Sequence, residues 1–252
     1  MISVIEVYNA VRDLANKDQK GFISPEMFNS VLPVVQSYIY GKIYNLAFQG
    51  KALRRAGNDV GGPDSLYLKA KDFMSEYLET KVLANSNVET PYEDASVFRK
   101  PENINRIISI FTDEAELGLT NVDIVYNSEK IARMLNSNLS QPTDAFPVAL
   151  ISDVVEILPA ATGDVSMNFY RNPTSRYESQ TKRALRGDID YRRQPVYSAQ
   201  TVANGIVIPN PVDCRGFDLP EEYRDEVVRE ICKMIGVSLR DSVLMTYGAS
   251  EK

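Results

Sequence analysis

Residues 146–170 read FPVALISDVVEILPAATGDVSMNFY, and the fold class turns on them. Three β-like segments follow one another here: Phe146–Ile151, Val154–Leu158 and Val165–Tyr170. Each is short and apolar, and turn-formers such as Ser152-Asp153, Pro159 and Gly163 separate them. Breaks this short predict neighbouring antiparallel strands, as in a meander. Upstream, Ile104–Phe111 and Val122–Tyr126 have the same character. Between them and the central stretch, Ser128–Leu139 reads as a short amphipathic helix. Downstream, Pro195–Ser198 and Gly205–Pro209 are two further candidate strands.

Both flanks of this β centre change period. Val4, Val7, Tyr8, Val11 and Leu14 recur at helical spacing within residues 3–15. Ser24-Pro25-Glu26 is a helix start, with Ser as N-cap, Pro at the first position and an acid in the first turn. The apolar face that follows runs through Phe28, Val31, Val35, Tyr38, Ile39, Ile43 and Leu46. Pro33 inside it is expected to kink or divide the helix. Residues 50–63 are Gly-rich and predict a loop. Ser65–Leu83 predicts a third helix carrying Leu66, Ala70, Phe73, Met74, Tyr77 and Leu78. Pro220-Glu221-Glu222 opens a last helix whose stripe is Val228, Ile231, Ile235 and Leu239. The expectation is an α+β chain. A helical region covers 1–90 and a linker 91–102. A β-rich antiparallel region (sandwich or meander-like) with an inserted helix covers 103–215, including a charged excursion over 172–194. A closing helix within 216–245 is expected to pack back on the helical region.

Composition bounds the function. The chain has 252 residues, 44% of them apolar and 25% charged, which excludes disorder and collagen-like repeats. Apolar runs such as Val31–Val35 are too short to span a bilayer, and no membrane partner is expected. The opening MISVIE lacks a basic n-region, so a signal peptide is not expected. The 28 basic and 34 acidic side chains give a net charge of −6, the reverse of a general nucleic-acid binder. There is no His, which removes the commonest general base and the Ser-His-Asp and Cys-His nucleophile pairs. With only Cys214 and Cys232, no cluster of soft ligands can form. One disulfide between them stays open, although two reduced thiols fit a cytosolic chain. A structural or binding role is favoured over an enzyme, and no catalytic, cofactor-binding or metal residue is assigned.

Several local patterns compete with plainer readings. Asn16, Asp18, Gly21 and Ile23 sit at calcium-loop spacing, but Lys20 and Met27 replace ligands there, leaving a helix–turn–helix connection. Gly57–Gly62 lacks the ending of a phosphate-binding loop, and Arg54 and Arg55 beside it read as solvated surface. Arg186-Gly187-Asp188 is too short a match to carry weight. Asp113, Glu114 and Glu116 crowd one expected loop and read as solvated carboxylates. The most unusual stretch is 175–193, with six basic against three acidic side chains in an acidic chain. Its plain reading is a solvated hairpin. Its functional reading is an arm that docks on an acidic neighbour or on nucleic acid, with Arg176, Tyr177, Lys182, Arg183, Arg186, Tyr191, Arg192 and Arg193 as partner-contacting candidates.

Val4-Ile5-Glu6-Val7-Tyr8, followed by Asn16–Asn29 (NKDQKGFISPEMFN), resembles the opening of a family of virion proteins from tailed phages of Bacteroidetes hosts, the crAss-like phages among them. Gln141-Pro142-Thr143, Phe146-Pro147-Val148-Ala149, Val154–Pro159 and Asn168–Thr174 resemble that family's central unit. Leu219–Val228 resembles its closing helix. Leu158-Pro159 departs from the family's usual Tyr-Pro, and the basic excursion departs from it in length. The resemblance implies a structural protein of the head-to-tail connector or tail, without enzymatic activity or cofactor. It implies a homo-oligomeric ring, usually of twelve copies, stacked below the portal protein or on other tail rings. Genomic DNA would pass through without specific binding, and an anionic lumen suits that passage. The location implied is the virion, after assembly in the bacterial host cytoplasm. The alternative reading is a soluble cytoplasmic protein–protein interaction module that is no part of a virion.

Overall fold

The computed structural model describes residues 1–17, 23–55, 64–92, 94–114, 118–174, 176–177, 194–201 and 207–236. The chain is an α+β protein that divides into two units. The first comprises Met1–Glu76 and Pro173–Lys252; the second is Tyr77–Asn172, inserted between those two stretches.

The first unit holds α1 (Val4–Lys17), α2 (Pro25–Arg55), α3 (Asp64–Ser75) and α5 (Arg224–Ile235). The strand pairs β8 (Arg176–Tyr177) with β11 (Arg215–Gly216) and β9 (Ala199–Thr201) with β10 (Val207–Pro209) belong to the same unit. Ser24 caps α2 as the sequence predicts: its Oγ accepts from Met27 N at 3.2 Å. The helix then runs unbroken through Pro33 to Arg55, past the expected loop start. Its core face is Phe28, Leu32, Val35, Ile39 and Ile43, whereas Tyr38 and Leu46 are exposed. Two polar residues seven apart, on one side of α2, hold the returning chain. Asn29 Nδ2 donates to Tyr197 O at 2.9 Å, and its Oδ1 accepts from Tyr197 N at 2.8 Å. Gln36 is buried; its Oε1 accepts from Asp218 N at 3.0 Å and its Nε2 donates to Pro173 O at 3.4 Å. The closing helix ends at Gly236, whose φ of 77° is the left-handed C-cap that glycine tolerates. Leu239, expected in its stripe, lies outside the described residues.

The second unit is one sheet of seven strands: β1 (Leu78–Val82), β2 (Ser96–Arg99), β3 (Ile104–Glu114), β4 (Gly118–Val125), β5 (Val148–Ile151), β6 (Val154–Leu158) and β7 (Asp164–Arg171). Helix α4 (Ser128–Leu135) lies between β4 and β5 in sequence. The spatial order is β1-β7-β3-β4-β5-β6-β2, antiparallel throughout except for the parallel β4–β5 pair. The meander expectation therefore holds only at the β5–β6 hairpin; β7 crosses to pair with β1 and β3.

The sheet curls until its ends meet. Beyond β1, Ser86 N donates to Val97 O and Arg99 N to Ala84 O, both at 2.8 Å, so residues 84–86 pair with β2. Closure of this kind hides a sheet edge from other chains. The enclosed core includes Phe98, Ile110, Val122, Ile157, Met167 and Phe169. On the outer side α4 covers part of the sheet, packing Ile131 with Val125, Val148, Leu150 and Leu158. Strand β5 is thus buried on both faces, which explains its unbroken apolar run Val-Ala-Leu-Ile.

Residues 78–82 correct the helix expected over Ser65–Leu83. Leu78-Glu79-Thr80-Lys81-Val82 alternates with period two, and pairing with β7 decides the matter against helical propensity. The expected linker contains β2, and the closing residues 84–86 fall at the end of the expected helical region.

Candidate interaction surface

The sheet's register leaves one strand half open. Strand β4 pairs with β3 along Gly118–Val122, but β5 reaches only Asp123–Val125. Among the described residues, no strand lies beside Gly118–Val122 on that outer side. Pro147 sets this limit. It has no N–H to give to a ladder, and it accepts from Asp123 N at 2.9 Å as the last link before β5 begins. The chain ahead of it folds back in a tight turn, with Phe146 N donating to Thr143 O at 2.9 Å.

A groove of about 560 Å³ runs beside this half-open strand, lined by Asn121, Asp123, Met134, Leu139, Phe146 and Val148 among others. Leu139 is 100% exposed and Phe146 78%. Leu119, two residues before Asn121 on the same row of β4, is 69% exposed. Single exposed apolar side chains are ordinary, but three large ones around one groove mark an interaction surface. Asp123 lines it and is exposed; Asp113, opposite Leu119, and Asp144, beside Thr143, are exposed but do not line it. Lys130 and Arg133 are exposed on α4, but neither lines the groove. The arrangement offers main-chain hydrogen-bonding groups, apolar anchors and negative charge, the requirements for adding an extended segment to a sheet.

Away from the groove, the second unit's polar interior is structural. Arg171 is buried, and its Nε lies 3.4 Å from Glu79 Oε1. Its guanidinium stacks over the Tyr77 ring at 4.9 Å, and Lys81 Nζ approaches Glu79 Oε2 at 3.4 Å. Asn172 Nδ2 donates to Ile104 O, while Asn103 Nδ2 donates to Asn172 O at 3.1 Å. These links tie β1, β7 and β3 together where the chain enters and leaves the unit.

In the first unit, Tyr8 stacks on Tyr197 with ring centroids 3.9 Å apart, and Phe28 meets both edge-on. Burial pushes the Tyr8 phenol above its ordinary pKa of 10.0, with Arg12 opposing. Burial also raises Tyr197, helped by Tyr8 and Cys214 and opposed by Arg12.

The sequence-predicted residues divide sharply. Arg176 and Tyr177 form β8, paired with Gly216 and Arg215. Lys182, Arg183, Arg186, Tyr191, Arg192 and Arg193 lie outside the described residues. So do residues 18–22 of the calcium-loop pattern, 57–62 of the Gly-rich stretch and Glu116. Asp113 and Glu114 are strand residues opposite Leu119 and Gly118, not loop residues, because the β3 ladder extends to its tip. Cys214 and Cys232 are buried free thiols, which settles the open disulfide question. Among the described residues, no group of three or more His, Cys, Asp or Glu side chains could hold a metal, and no helix is long and apolar enough to cross a membrane. The groove itself was missed by sequence reading, which assigned Phe146 to a strand. Pro147 was the available signal that it stands outside one. No family model matches the chain, and no curated protein matches it.

Proposed function

We propose that this chain is a structural, non-enzymatic subunit of a homo-oligomeric ring in a phage head-to-tail connector or tail, continuing the DNA channel below the portal. The observation that carries the reading is the groove beside β4, an open strand half rimmed by Leu119, Leu139 and Phe146. Such a surface is stable in solution only at a cost in exposed apolar area, and association removes that cost. A ring uses heterologous contacts, so one face of each subunit meets a different face of the next. The motif at Asn16–Asn29 supports the same reading. Its Ser24 caps α2, its Phe28 is core and its Asn29 clamps Tyr197, so the residues behind the phage resemblance anchor the first unit.

Quantitative mass spectrometry of purified virions tests the proposal. About a dozen copies per particle is the expected result for a connector ring. Absence from particles overturns the virion reading and leaves an interaction module unconnected to virions.

A further inference from the structure

We infer that the outer face of α2 pairs with α2 of a second copy of this chain, as a parallel two-stranded coiled coil. Residues 27–48 of this helix hold one charged side chain, Lys42, in a chain that is 25% charged, and Glu226 of α5 holds that cation. Helices α1, α3, α4 and α5 each turn charge to solvent, with Arg12, Lys71, Arg133 and Lys233 exposed. Surface helices keep a polar, charged face toward water, so an uncharged outer face is one that a partner covers. The chain itself covers only one side of α2, where Phe28, Leu32, Val35, Ile39 and Ile43 are buried. On another side Met27, Val34, Tyr38 and Phe48 are exposed.

The spacing on that side identifies the occupant. Met27, Val31, Val34, Tyr38, Gly41, Asn45 and Phe48 follow one another at alternating steps of four and three. This is a seam of three heptads, about 32 Å long at 1.5 Å per residue. Val31, Tyr38 and Asn45 take one of its two core positions; Met27, Val34, Gly41 and Phe48 take the other. Gly41 has nothing within 4 Å of where a Cβ would stand, so a second helix can approach there. The flank at Ser30, Ser37 and Tyr44 is uncharged as well, so two copies meet without repulsion. A charged partner would lose hydration against this seam and gain no counter-charge, whereas another α2 matches it in length and in neutrality. Asn45 sets the direction. In a parallel pair the two Asn45 amides face each other and hydrogen-bond; in an antiparallel pair centred on Tyr38, each would face Val31 and stay unpaired. The contact is isologous and closes at two copies. It is therefore distinct from the heterologous ring contact and does not rest on the function proposed above.

The test uses the full chain. Sedimentation equilibrium is expected to show reversible self-association, and Tyr38→Glu to weaken it about tenfold or more, because pairing would bury a carboxylate from each copy. Tyr38 is exposed, so circular dichroism of that variant should match the native chain. Val34→Cys places a thiol opposite its own copy in the parallel register, and mild oxidation is expected to join two chains through it. The native thiols Cys214 and Cys232 are buried and do not compete. Asp13→Cys, exposed on α1, is the control and should stay unjoined. A native chain that is monomeric at the highest soluble concentration overturns the inference. So does self-association that Tyr38→Glu leaves intact, or a Val34→Cys chain that joins no faster than the Asp13→Cys control. The two readings fail separately. Virions containing a chain that is monomeric in solution refute only the α2 pairing, whereas α2 pairing in a chain absent from virions refutes only the connector.

Discussion

Replacing Arg171 by Met should open the second unit from the end where the chain enters and leaves it. The side chain is 4% exposed, and its Nε sits 3.4 Å from Glu79 Oε1. Its Nη1 also donates to Asn172 O at 3.3 Å, and its backbone N donates to Tyr77 O at 2.8 Å. Methionine preserves much of the apolar stem and the backbone bond but removes the guanidinium from Glu79, whose Oε2 keeps Lys81 Nζ at 3.4 Å. Removing one partner of a buried ion pair costs about 3–5 kcal/mol, because the remaining charge stays desolvated. Glu79 is 18% exposed and keeps Lys81 at 3.4 Å, so the lower end applies, about 3 kcal/mol. Hydrogen exchange read by mass spectrometry on peptides spanning 78–82 and 164–171 reports this locally. Exchange there should accelerate about a hundredfold, since each 1.4 kcal/mol is a factor of ten. Arg171→Met with Glu79→Gln removes the stranded charge and should recover most of the loss. A single variant with less than about a fivefold acceleration, or a double variant no better than the single, refutes the claim that ion pairing secures this end.

Two glycines should respond oppositely to alanine. A Cβ at Gly216 would lie 2.7 Å from Ile2 O, so Gly216→Ala must push apart the Ile2–Phe217 bridge and lower stability by about 1–3 kcal/mol in thermal unfolding. Gly41 has nothing within 4 Å and sits inside α2, so Gly41→Ala should raise stability by about 0.5–1 kcal/mol. The stacked tyrosines predict alkaline sensitivity. Tyr8 and Tyr197 are raised above 10.0 in the folded chain, so the unfolded chain releases these protons first and stability falls as pH rises above about 10. Below that, both groups are protonated in both states and contribute no pH dependence. Phenolate absorbance during alkaline titration should show a late-titrating pair, and Tyr197→Phe should flatten the loss of stability.

Much of the fold was legible because local pattern and tertiary demand agree. The Ser24-Pro25-Glu26 start and the strand at Val165–Tyr170 read the same way in isolation and in place, whereas the closing helix stops at Gly236, short of the Leu239 included in its expected stripe. Legibility failed where tertiary pairing overruled a plausible period. Tyr77-Leu78 continues the apolar spacing of α3, yet Glu79 and Lys81 face inward at one end of the sheet, where Arg171 lies between strands far apart in sequence. Nothing local announces that ion pair. The division of the helix held open at Pro33 does not occur: the helix around it is held by Leu32, Val35 and Ile39, so buried packing outweighs one missing hydrogen bond.

The groove was half legible, and the missing half was topological. The sequence reading placed a strand, then the helix at Ser128, then a strand, and a strand–helix–strand order is the ordinary route to a parallel pair. The expectation of an antiparallel region passed over that signal. A parallel β4–β5 pair that starts late, after Pro147, is what leaves Gly118–Val122 open. An antiparallel hairpin between the same strands would have begun pairing at its turn and left no such edge. The 136–147 connection then has to run beside β4 instead of into the sheet, and this carries Leu139 and Phe146 to the groove rim. The apolar exposure is therefore a consequence of the crossover and not of local composition. Restoring a ladder residue should test that cause directly: Pro147→Val gives β5 a donor one residue earlier, and protection of the amides at 119–121 should rise if strand pairing can extend toward Phe146.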